Sequence, residues 1–231
     1  MGNALTNLFQ TKVQPGLYTQ FMAGATTSWM ENNARGIEYR GGKYVLMHEL
    51  QVDGLGDYDR NLGYPRGVIT GSKKQYELTM DRGREFLIDA ADNDETGFLV
   101  SAASAMAEFQ RSHVIPEVDC YRYSKIYDIM STGDYSDNVS DAAITASDIT
   151  DTLVEDIADI QDEMGTDVPL VVIMSGQVQK YFGKDFTRDL DMIQFRRGQL
   201  YTKVKAIDSN PFLIVPSARL KSKYDFLDGV S

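Results

Sequence analysis

The residue types best equipped for chemistry in this sequence are a glycine-rich acidic stretch at residues 54–61, a Gly183-Lys184 pair, an acidic cluster at Asp92, Asp94 and Glu95, two histidines and one cysteine. A dinucleotide-binding turn needs a third glycine three residues after Gly56, where a helix N-terminus can approach a pyrophosphate. That position is Asp59, and a loop is expected to follow. A phosphate-cradling loop needs a glycine five residues before Gly183 and a hydroxyl after Lys184. Those positions hold Val178 and Asp185. Asp57, Asp59 and Asn61 match the opening ligands of a calcium loop, but Leu62 replaces the sharp-turn glycine and Val68 the bidentate glutamate, so solvated turn residues are expected. Asp92, Asp94 and Glu95 precede a helical pattern, where capping and dipole effects of about 0.3–1 kcal/mol each account for them. His48 and His113 stand in no nucleophile or metal motif, and His113 is expected to pack on a helix stripe. Cys120 has no intrachain partner and no metal-ligand spacing around it, which predicts a buried packing thiol. No catalytic, cofactor-binding or metal-binding residue is nominated, and no enzyme activity is expected.

Charge narrows the partners. With 23 basic and 34 acidic residues among 231, the net charge of -11 gives no general attraction for nucleic acid, whose binding proteins neutralise phosphates with lysine and arginine. No apolar run approaches the roughly 20 residues that span a bilayer, and the start MGNALTNLFQ lacks the regions of a secretory signal. Synthesis in a reducing cytoplasm is the expectation.

The elements that must position any site follow from periodicity. Residues 1–36 show no sustained period and predict a floppy extended arm with a short helix around 17–22. Residues 37–53 alternate, with Tyr44, Leu46, His48, Leu50 and Val52 on one face, as one long strand. Five glycines and a proline in residues 53–74 predict a loop, and Tyr76, Leu78 and Met80 mark a returning strand. Such a hairpin is marginal alone and needs cover. A further strand is expected at residues 84–89, then a long helix over residues 92–114, interrupted at Pro116, and a second helix with that proline in its first turn. Residues 131–143 form a polar connector. Ile149, Leu153, Ile157, Ile160 and Met164 make an apolar helix stripe, opened by Thr145 or Ser147 and closed by Gly165. A buried strand over residues 168–174 then leads into Ser175 as a helix N-cap. A hairpin of residues 201–208 and 212–217 turns at Ser209-Asn210-Pro211. The fold class is α+β.

Three segments carry a resemblance: GLGDYDRNLGYPRG at residues 54–67, LTMDRGREFLIDAADNDET at 78–96 and YTKVKAIDSNPFLIVPSARL at 201–220. They resemble the major capsid proteins of tailed bacteriophages with the Hong Kong ninety-seven type fold. The resemblance implies an N-terminal arm at residues 1–36, an extended loop called the E-loop at 37–82, a peripheral domain with a spine helix at 83–140 and a mixed α/β axial domain at 141–231. Family members continue past the late hairpin, so the axial domain is expected to be incomplete. The resemblance also implies subunits that self-assemble as pentamers and hexamers of an icosahedral shell in the bacterial host cytoplasm. Scaffolding and portal proteins are further partners, the virion capsid is the location, and DNA is enclosed without sequence-specific binding. Contacts between subunits are implied at the E-loop tip, residues Asp57, Asp59, Arg60, Tyr64, Pro65 and Arg66. A family-like motif at the junction comprises Asp81, Arg82, Gly83 and Asp89. An encapsulin-like compartment subunit on the same fold is the second reading, and a soluble enzyme with an unrecognised site the third.

Overall fold

The computed structural model describes residues 14–33, 37–39, 42–61, 63–86, 102–145, 147–166, 168–185, 191–197, 200–207 and 209–224. The chain is α+β and divides into two compact units, residues 33–95 and residues 1–32 with 96–231.

The smaller unit is a three-stranded antiparallel sheet in the order β1 (Ile37–Tyr39), β2 (Tyr44–Val52), β3 (Ile69–Glu77). The single long strand expected over residues 37–53 is therefore two strands. Gly42 adopts a φ of +83, a left-handed conformation that suits glycine, and reverses the chain so that Tyr39 pairs with Val45. The expected loop of residues 53–74 is also shorter than its composition suggests. β3 begins at Ile69 opposite Val52 and runs to Glu77 opposite Tyr44, so Gly71 and Ser72, poor strand formers, are carried by the continuous ladder with β2. Residues 84–86 of the expected further strand have no regular structure; residues 87–89 lie outside the described residues.

In the larger unit, the short helix expected around residues 17–22 is α1 (Gln14–Gly24), and a 3₁₀ turn (Ser28–Asn33) follows it where a floppy arm was expected; residues 1–13 and 34–36 of that arm lie outside the described residues. Met22, Ala25, Thr27 and Ser28 are buried, because this segment lies on the long helical run that follows. That run comprises α2 (Ala102–Phe109), a π-helical turn (Gln110–Val114) and α3 (Ile115–Met130). Pro116 sits in the first turn of α3 as expected, but it does not interrupt the helix. Val114 and Ile115 keep right-handed helical angles, and the Ile115 N–H donates to the Gln110 carbonyl five residues back. The widened turn thus accommodates the residue whose missing N–H would break a regular ladder. The expected first turns of this helix, with Asp92, Asp94 and Glu95, lie outside the described residues. His113 is exposed, though its ring packs on Phe109 of the same helical run with centroids 5.5 Å apart.

Residues 131–143 hold a 3₁₀ turn (Gly133–Asn138) within the larger unit. Then α4 (Ile149–Met164) begins and ends where its stripe predicts. Neither Thr145 nor Ser147 caps it: the N-cap residue is Asp148, which makes no side-chain cap bond, and its carboxylate accepts from the two hydroxyls at 2.6 and 2.8 Å. Only the first half of the stripe is covered. Ile149 and Ile157 are buried, whereas Ile160 is 42% and Met164 64% exposed. β4 (Val172–Ser175) leads into α5 (Gly176–Asp185), and the Ser175 Oγ accepts from the Val178 N–H at 3.2 Å as the expected N-cap. β5 (Asp191–Arg197), which the sequence reading did not include, completes a sheet with β6 (Leu200–Ile207) and β7 (Asn210–Val215) in the order β4-β7-β6-β5. β4 runs parallel to β7 and the other pairs are antiparallel. The turn between β6 and β7 contains Ser209 at a φ of 71. Ile149, Met174, Ile207 and Phe212 form the core of this region, with Leu153, Val172 and Val178 against it.

Candidate interaction surface

The β2–β3 ribbon is short of private cover. Opposed residues of an antiparallel pair share a face, so Leu50 with Gly71 and Val52 with Ile69 make one apolar side toward the tip. Leu50 is 70%, Val52 59% and Ile69 68% exposed. The other side is polar: Lys74 Nζ lies 2.8 Å from the Glu49 carboxylate, which also accepts from Ser72. The Lys74 hydrogen bond and charge hold the Glu49 carboxyl below its ordinary range. Covering each of the three apolar side chains would contribute about 1.5–3 kcal/mol. A two-stranded ribbon is marginal in water, so cover of that size would decide its stability.

The tip is ordered by its own bonds. The Asp53 carboxylate accepts from the Val68 N–H at 2.7 Å, closing the ladder with a side chain. Further out, Asp59 and Gly63 exchange backbone hydrogen bonds of 2.7 and 3.2 Å, and the Asp59 side chain accepts from the Asn61 N–H at 2.6 Å. This is the solvated turn expected for Asp57, Asp59 and Asn61. The rings of Tyr58 and Tyr64 pack at a tilt of 54° with centroids 5.0 Å apart. Gly56 lets the two arms meet, since a Cβ there would stand 2.7 Å from Pro65 Cγ.

The structure brings Asp57, Asp59, Arg60, Tyr64, Pro65 and Arg66 together on this one exposed loop. Asp81, Arg82 and Gly83 are exposed in irregular chain beyond β3, and Asp89 lies outside the described residues. No family, curated protein or solved structure that was compared matches this chain.

A second polar constellation, inside the larger unit, went unread in the sequence. Asp119 of α3 is fully buried and accepts five hydrogen bonds. The N–H and hydroxyl groups of Thr26 and Thr27 donate four, at 2.7–3.1 Å, and Arg219 Nη1 donates the fifth at 2.9 Å. Arg219 also donates to the Gly24 carbonyl. Arg122 donates to Thr27 and pairs with Glu31, and the Tyr123 hydroxyl donates to Thr26 Oγ1. Burial pushes the Tyr123 phenol up to about 12. Cys120, next to Asp119, is a free buried thiol whose Sγ donates to the Ala218 carbonyl, and burial raises its pKa, as suits a packing residue. The arrangement is a clasp: five donors converge on one carboxylate, and three distant segments are held there.

Among the described residues, no three His, Cys, Asp or Glu side chains are grouped to hold a metal ion, and no helix is long and apolar enough to cross a membrane.

Proposed function

We propose that this chain is a shell-forming subunit, the major capsid protein of a tailed bacteriophage, with the Hong Kong ninety-seven type fold. Copies assemble as pentamers and hexamers of an icosahedral container for double-stranded DNA. The observation that carries the reading is the ribbon: an ordered β2–β3 hairpin whose apolar side, Leu50, Val52 and Ile69, is left exposed and whose tip is polar and self-bonded. A hairpin of that kind is stabilised by lying on a partner, and a copy of the same chain supplies one by symmetry. The ordered tip adds Tyr64, Arg60 and Arg66, residue types enriched at protein interfaces. The motif resemblance at residues 54–67, 78–96 and 201–220 supports the same assignment. The net charge of -11 suits a wall that encloses DNA without gripping it.

The test is electron microscopy and sedimentation velocity of the purified chain beside a variant in which residues 54–67 are replaced by a short Gly-Ser turn. Loop closure changes by only about 0.6 kcal/mol per doubling of length, so the variant is expected to fold, with an unchanged circular dichroism spectrum, yet to lose large assemblies. A parent that stays monomeric at every concentration, or a variant that assembles in equal yield, refutes the proposal.

A further inference from the structure

The β5–β6 half of the four-stranded sheet is bare and basic on one side. The register Met192↔Lys205, Gln194↔Lys203 and Arg196↔Tyr201 places these six side chains on one side of β5 and β6. All six are exposed, Met192 at 61% and Tyr201 at 67%, while Ile193, Phe195, Thr202 and Val204 on the opposite side are half-buried. The bare face thus holds three cations and no carboxylate in a chain whose net charge is -11. Neither Lys203 nor Lys205 has an ion-pair partner among the described residues.

α4 has the opposite character. It carries six carboxylates and no lysine or arginine. Asp156, Ile160, Glu163 and Met164 fall at i, i+4, i+7 and i+8, one face of the helix, with Asp159 at its margin. This is the uncovered half of the apolar stripe, so acidic and apolar groups share that face as basic and apolar groups share the sheet face. The lengths agree: residues 156–164 of a helix span about 12 Å, and residues 192–196 of a strand about 14 Å.

We propose that these two faces dock between copies, with the second half of α4 of one copy lying across the β5–β6 face of the next. Lys203 and Lys205 then meet Asp156 and Glu163, while Met192 and Tyr201 cover Ile160 and Met164. Because the two patches differ, the contact is head-to-tail and generates a ring or an open filament rather than a two-fold dimer. A nucleic acid is the other polyanion that could occupy the basic face. The net charge of -11 repels it, and it would leave the exposed Ile160 and Met164 unexplained. The inference rests on the self-association proposed above, but on neither the ribbon nor a closed shell.

Sedimentation velocity of the full chain over a concentration series tests it with three variants: Lys203→Glu with Lys205→Glu, Asp156→Lys with Glu163→Lys, and all four changes together. Circular dichroism reports folding, and Lys203→Gln with Lys205→Gln replaces the first variant if it misfolds. Each charge reversal sets like charges opposite one another and is expected to weaken association at least about tenfold. The fourfold variant should recover much of the loss, and mixing the two reversed variants should give a complex that neither forms alone. Oligomers unaffected by either reversal overturn this contact while sparing self-association elsewhere; a parent that never associates overturns both. If only the lysine changes matter, and a labelled DNA duplex binds the parent but not the lysine variant, the face serves nucleic acid and the docking of copies is wrong.

Discussion

Replacing Asp119 by alanine removes the acceptor that five donors share, and the structure orders the consequences. Thr27 is fully buried, so its N–H and hydroxyl lose a charged acceptor with no water to replace it. Arg219, whose side chain is 23% exposed, recovers part of its solvation. Breaking a buried charged pair typically costs about 3–5 kcal/mol, and that range is expected for Asp119→Ala. Asp119→Asn keeps the volume and one acceptor oxygen but turns an amide N–H₂ toward donors, so it should fall lower, at about 2–3 kcal/mol. Arg219→Ala leaves the carboxylate with its four threonine donors and should cost least, about 1–3 kcal/mol. Urea unfolding followed by far-ultraviolet circular dichroism gives the three values, and hydrogen exchange over residues 14–33 should show that segment loosening first. An Asp119→Ala loss below about 1 kcal/mol, or an Arg219→Ala loss exceeding it, would refute the clasp as the carboxylate-centred anchor of the N-terminal segment.

Two further outcomes separate covered from uncovered positions and neutral from charged groups. Ile157→Ala should destabilise by about 2–5 kcal/mol, because the side chain is buried, whereas Ile160→Ala at 42% exposure should cost less than about 1.5 kcal/mol in the unassembled subunit; equal losses by thermal melting would contradict the packing of α4. Tyr123 should be among the last tyrosines to ionise, near pH 12 by ultraviolet titration. Its folded pKa lies above the unfolded value, so its contribution is intact below about pH 10 and declines as pH rises toward 12, a slope that Tyr123→Phe should remove.

How much was legible depended on the range of the physics involved. α4 was readable because its stripe and closing Gly165 lie within its own sequence, and so was the Ser175 cap, although the hydroxyls expected to open α4 bond the Asp148 carboxylate instead of a helix N–H. Alternation revealed the ribbon, but its ends depended on pairing: nothing local in Ile69-Thr70-Gly71-Ser72 says strand until β2 lies beside it. Gly41-Gly42 was a legible turn signal that the alternation on either side concealed. β5 also had a signal, since Ile193, Phe195 and Arg197 alternate with exposed Met192, Gln194 and Arg196. The continuity of the helix through Pro116 was not legible, because a π-helical turn changes the hydrogen-bond step without changing composition. Least visible of all was the clasp. Thr26, Asp119 and Arg219 are unremarkable where each stands, and their meaning arises only when the fold brings the first and last to one Asp119 oxygen, at 3.0 and 2.9 Å.

The clasp also imposes an order of events on a chain made from its N-terminus. Asp119 is separated by 93 residues from Thr26 and by 100 from Arg219, in opposite directions. At a synthesis rate of about 5–20 residues per second, the carboxylate therefore waits roughly 5–20 s for its cation after it is itself made. During that interval the two threonines, already emerged, are the donors available to it, and the helix can capture the N-terminal segment in a weaker, half-closed form. Arrival of Arg219, only a few residues beyond β7, then converts a provisional contact into a final one. The fifth hydrogen bond to Asp119 can therefore form only after the last strand of the sheet has been synthesised, whereas the other four need only the chain up to α3.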